Sequence, residues 1–99
     1  MSDFVLAPAA CGDILEIWDY YAATIDNIDV ADRIRDELFA AFAELAKTPG
    51  MGHYRNDLAA EPLRFWRVRE YLIIYRSEKR PLEIVRVLHG KRDVQALLE

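Results

Sequence analysis

The sequence predicts an α+β domain: a helical hairpin packed on a small, mainly antiparallel sheet, in the order β-α-α-β-β-β with a short closing helix. Three observations carry this. In the first half, apolar residues recur at the helical period over two stretches. In the second half they gather into short runs rich in Val, Ile, Leu and aromatics, parted by polar breaks of two and five residues. At 99 residues the chain suits one domain with one core, residues 1–99.

The elements follow in order. Phe4-Val5-Leu6-Ala7 is short, apolar and β-prone, and Pro8 after it is well placed to open a helix. Ile14, Ile17, Trp18, Tyr21 and Ile25 then form one apolar stripe, with Tyr20 outside it and Gly12 costing about 1 kcal/mol within it. The polar stretch TIDNID breaks the pattern. Asp29 is a good N-cap for the second helix, whose stripe is Val30, Ile34, Leu38, Ala41, Phe42 and Leu45 and whose end is Thr48-Pro49-Gly50. Residues 50–62 read as a crossing loop.

Three strands close the chain: 63–68 (LRFWRV), 71–76 (YLIIYR) and 82–89 (LEIVRVLH). Breaks this short give an antiparallel meander. Strict alternation puts Val85, Val87 and His89 on one face and Ile84, Arg86 and Leu88 on the other. In the middle strand Tyr71, Ile73 and Tyr75 oppose Leu72 and Ile74. Both faces are partly apolar, so one should meet the helices and the other a partner. The last residues, RDVQALLE, predict a final helical turn or two.

Composition removes several function classes. No apolar run approaches the roughly 20 residues of a membrane span. The start, MSDFVLAPAACGD, has acids where a secretory signal has bases. Cys11 is the only cysteine and reads as a small buried helix residue in a reducing, cytoplasmic protein. His53 and His89 make no zinc site by themselves, so neither metal nor cofactor is expected. The net charge is −4. Residues 1–49 hold ten acids against three bases, and residues 50–99 hold ten bases against seven acids. An acidic chain is poorly suited to sequence-independent binding of a phosphate backbone, while its basic half suits an acidic partner.

Four stretches, in this order and over nearly the whole length, resemble the ParE branch of the ParE/RelE toxin superfamily. They are FVLAPAACGDILEIWDYYA, FAELAKTPGMGHYRNDL, RVREYLIIYR and IVRVLHGKRD. The resemblance implies the toxin of a type II toxin–antitoxin system, neutralised by a ParD-like antitoxin as a hetero-oligomer. It implies action on DNA gyrase by protein binding, DNA contact only through the antitoxin, and no membrane. The alternative within the superfamily is a RelE-like, ribosome-dependent mRNA interferase. Those nucleases carry an arginine in a G-Y-R-Φ-Φ-Y strand. Here the matching run, residues 70–75, has Leu72 in that place, and leucine cannot bind a scissile phosphate.

Candidate site residues divide accordingly. For the target, the expectation is the strand end and beyond: Arg86, His89, Lys91, Arg92 and Asp93. For the antitoxin it is Phe65, Trp66, Arg67, Arg69, Tyr71, Ile73 and Tyr75, because aromatic residues and arginines anchor protein interfaces. No catalytic residue is expected. If RNA cleavage did occur, the candidates are His89 as general base, with Arg86 for phosphate charge and Tyr75 for stacking or proton transfer. Asp13, Glu16 and Asp19 read as a solvated helix face.

Overall fold

The computed structural model describes residues 4–55 and 62–90. Two helices cover one face of a five-stranded sheet ordered β1-β5-β4-β3-β2. The strands are β1 (Phe4–Leu6), β2 (His53–Tyr54), β3 (Arg64–Val68), β4 (Tyr71–Arg76) and β5 (Leu82–His89). The meander β3-β4-β5 is antiparallel as expected, and β2 adds an antiparallel pair, His53 opposite Phe65, from the stretch read as loop. β1 lies parallel to β5, Phe4 beside Leu82 and Leu6 beside Ile84. The helical hairpin carries the chain from β1 at one edge of the sheet to β2 at the other, and the meander then brings β5 back alongside β1.

Helix α1 (Pro8–Asp19) opens with proline at its first turn, where the missing N–H costs nothing. It runs into a wide π turn, Tyr20–Thr24, where the backbone bonds skip one residue further, as in Ile25 N–H to the Tyr20 carbonyl. Helix α2 (Ile28–Lys47) is capped by Asn27, whose side-chain oxygen accepts from Val30 N–H at 3.1 Å. Asp29, expected at that cap, instead lies in the first turn and favours the dipole there. The cap precedes it because the π turn ends with Asp26 at φ +57°, so the chain re-enters helical geometry two residues earlier than its apolar pattern suggests.

The main core lies between helices and sheet. Ile34, Leu38, Phe42 and Leu45 of α2 and Ala10 and Ile14 of α1 meet Ile73, Tyr75, Leu82, Ile84 and Val87. Full burial of side chains of this size stabilises by about 1.5–3 kcal/mol each. Of the predicted stripe on α1, Ile17, Trp18 and Tyr21 are half-buried and Ile25, beyond the π turn, is exposed. Trp18 ties the hairpin together by donating its indole N–H to Asp32 at 2.9 Å. Cys11 sits on α1 but is exposed, contrary to the buried reading, because its position falls outside the stripe that meets the sheet.

Strict alternation fails once, in β5. Ile74 pairs with Arg86, but Tyr75 pairs with Ile84, so Val85 is the extra residue of a β-bulge. The bulge turns both Ile84 and Val87 toward the helices, and leaves Val85 with Phe65, Ile74 and Leu88 in a second, smaller cluster on the far face. Val85 and Val87 therefore do not share a side.

Candidate functional site

The bulge gives Arg86 and the edge of β5 to α1. Past Ala7, whose N–H still bonds the Ile84 carbonyl, β5 has no strand neighbour on that side among the described residues, and Asp13 of α1 takes the neighbour's place. Its carboxylate accepts the Val87 N–H at 2.9 Å and two guanidinium bonds from Arg86 at 2.8 and 2.9 Å. This charge-assisted fork covers an open strand edge and pins α1 to the sheet. Asp13 is therefore a structural strap. A carboxylate on the polar side of a helix carried no sign of that role; only the bulge creates it.

Beside this strap lies a groove of about 450 Å³, between α1 with its π turn and the paired ends of β4 and β5. Three carboxylates line it (Asp13, Glu16, Glu70), with the phenols of Tyr20, Tyr21 and Tyr71, and His89. Tyr71 and His89 face each other across the β4–β5 pair, their rings edge to face at 5.8 Å. The His89 Nε2 stands 3.7 Å from the Glu70 carboxylate. The next residue, Gly90, donates its N–H to the Glu70 carbonyl at 2.7 Å. A Cβ there would stand 3.2 Å from that oxygen, which explains a glycine directly after His89. Tyr71 and Tyr21 share a hydroxyl–hydroxyl bond of 3.3 Å. Burial, reinforced by that bond, pushes the Tyr71 phenol well above its ordinary range.

A second cleft of about 450 Å³ opens on the sheet's far face. Its lining includes His53 and Arg55, the apolar Phe65 and Leu72, and Arg67. Here cations border an apolar floor.

The structure separates the residues expected to act together. Arg86 is bound to Asp13, and His89 lines the acidic groove. Tyr75 lies fully buried elsewhere, donating its hydroxyl to the Pro49 carbonyl at 2.7 Å and accepting from Gly52 N–H at 2.8 Å. Burial raises its phenol too, against the Gly52 bond and the nearby Arg64. Lys91, Arg92 and Asp93 lie outside the described residues. Among the described residues, no cluster of three or more His, Cys, Asp or Glu side chains could hold a metal.

The residues expected at an antitoxin surface fall into three groups. Tyr71, Ile73 and Tyr75 belong to the face that the helices cover, so they form the core instead of a docking surface. Trp66 is half-buried against that core, while Phe65 points to the far face and is 3 % exposed. Arg67 and Arg69 are exposed. Arg69 makes two 2.7 Å bonds to Glu37 of α2, which hold the Glu37 carboxyl below the usual carboxylate range.

The profile of the family described as "ParE toxin of type II toxin-antitoxin system, parDE" matches residues 4–94. No curated protein matches the chain. Among solved structures, one from the chromosomal ParDE toxin–antitoxin system of P. aeruginosa superposes with a TM-score of 0.73 at 17 % identity, over 92 % of this chain and 98 % of that one. At that identity the superposition speaks for the fold: two helices on a five-stranded mixed sheet. The family match over nearly the full length, on the architecture just described, carries the conclusion that this chain belongs to the ParE toxins of type II toxin–antitoxin systems.

Proposed function

We propose that this toxin acts by binding DNA gyrase and stalling replication, and that a ParD-like antitoxin neutralises it by binding to the toxin. The observation that carries the first part is the character of the groove at His89. A ribonuclease must draw a phosphodiester to its general base with cations. The imidazole here stands instead among Asp13, Glu16 and Glu70, and the nearest arginine on β5, Arg86, is spent on Asp13. With Asp13 paired to Arg86, the Glu16 and Glu70 carboxylates still repel a phosphate. The target contact that we favour is the strand end at Arg86 and His89, running on to Lys91, Arg92 and Asp93.

For the antitoxin we favour the far face. Its cleft sets Arg55 and Arg67 around Phe65 and Leu72, a surface suited to an acidic, amphipathic segment that folds as it binds. The experiment is induction of the chain in growing bacteria with pulse labels for DNA and protein synthesis. The expected result is an early fall in DNA synthesis with an SOS response, relieved by co-expressing the antitoxin. Immediate translation arrest with cleaved messages would reverse the assignment in favour of an interferase.

A further inference from the structure

The groove beside His89, whose carboxylates turn a phosphate away, also carries the means to hold a cation. The π turn sets Tyr20 and Tyr21 beside the carboxylates of Glu16 on α1 and Glu70 between β3 and β4. In an α-helix neighbouring residues point about 100° apart; here Tyr20 and Tyr21 both line the groove, their rings nearly perpendicular at 83° and 5.1 Å between centroids. Tyr20 remains 48 % exposed, and Ile25 at the end of the same turn 49 % exposed. Opposite them stand Tyr71, tied to Tyr21, and Glu70, whose side chain is 54 % exposed. Glu16 adds a carboxylate that has no ion-pair partner among the described residues.

A half-exposed aromatic ring with carboxylates beside it supplies the ingredients of a cation site. Ring faces attract a guanidinium through their quadrupole, and a carboxylate takes its N–H fork. We infer that this groove receives an arginine side chain presented by a protein partner, with the guanidinium laid on the half-exposed Tyr20 ring and bonded by the Glu16 and Glu70 carboxylates, and an adjoining apolar residue against Ile25. Charge complementarity selects the occupant: beyond Asp13, which Arg86 neutralises, the lining carries the Glu16 and Glu70 carboxylates, so a basic segment fits and an acidic one is repelled. The groove and the far-face cleft thus bind segments of opposite charge. This inference stands apart from the gyrase and antitoxin assignments, since it rests on the lining alone.

The test is an NMR titration of the isotopically labelled full chain with a short blocked peptide carrying one arginine between two leucines. The control is the same peptide with citrulline, the neutral isostere, in the arginine's place. The expected result is saturable shifts at Tyr20, Tyr21, Tyr71 and His89 with the arginine peptide, and binding weaker by about tenfold or more with citrulline. Glu16→Gln and Glu70→Gln replace exposed carboxylates by amides of the same shape, so the spectrum should otherwise stay that of the folded protein. Each should weaken the arginine peptide while leaving the citrulline peptide unchanged. Shifts that avoid the groove, no shifts at all, or equal binding of the two peptides would overturn the inference.

Discussion

Tyr75 shows how much one hydroxyl can organise. It bridges the Pro49 carbonyl and Gly52 N–H, and so fastens the turn after α2 to the middle of the sheet. Tyr75→Phe should leave both backbone groups short of a partner and cost about 1–3 kcal/mol in urea denaturation. Gly52 has no room for a side chain: a Cβ would come within 2.5 Å of the Tyr75 hydroxyl and 2.9 Å of the Phe65 carbonyl. Gly52→Ala should therefore destabilise by roughly 1–3 kcal/mol, and Tyr75→Phe in the same chain should not restore the loss, because the Tyr75 ring at 2.8 Å and the Phe65 carbonyl stay in the way. Tyr71 makes a pH prediction. Burial raises its phenol in the folded state above the ordinary value of 10.0. A raised value means that the stabilisation is complete below about pH 10 and is lost as the pH climbs beyond it. Urea midpoints measured from about pH 9 to about pH 11 should fall, and Tyr71→Phe should flatten that fall. None of these contacts was legible beforehand. Tyr71, Ile73 and Tyr75 were correctly read as sharing one face, but alternation does not say which face the helices will take.

At the scale of elements, the two short joints matter most. The tight turn between β3 and β4 places Arg69 at φ +55°, a conformation that glycine adopts more readily. Arg69 holds there while its guanidinium grips Glu37 on α2, a latch between sheet and helix. Arg69→Gly and Arg69→Ala both lose the latch, but only the glycine variant relieves the backbone. The glycine variant should be the more stable by about 1 kcal/mol in thermal or urea unfolding. The other joint is the bulge in β5 with its Asp13 strap. Asp13→Ala strips Arg86 and the Val87 N–H of their acceptor at the strand edge. Because Arg86 keeps access to water, the cost should be about 1–2 kcal/mol, together with faster hydrogen exchange at Val87. The helices and the three-strand meander were plain in the sequence because amphipathic periods of 3.6 and 2 are written residue by residue. The bulge, the π turn and the parallel edge strand were not. Each is settled by tertiary pairing: a one-residue slip in β5, a widened turn between two helices, and an edge pairing that forms only when the meander brings β5 back to β1.

For the whole molecule, the partition of charge is the most telling property. The acidic half supplies β1, the hairpin and most of the groove at His89; the basic half supplies the other four strands and the far-face cleft. The proposed contacts give this protein two binding faces of opposite sign, with His89 on the acidic one. The most direct test of that account is a supercoiling assay with purified gyrase, run beside a message-cleavage assay on programmed ribosomes, using the same preparation of toxin. The account predicts dose-dependent loss of gyrase supercoiling, reversed by the antitoxin, with messages left intact. Cleaved message from the ribosomes, abolished by His89→Ala while gyrase remains fully active, would contradict it.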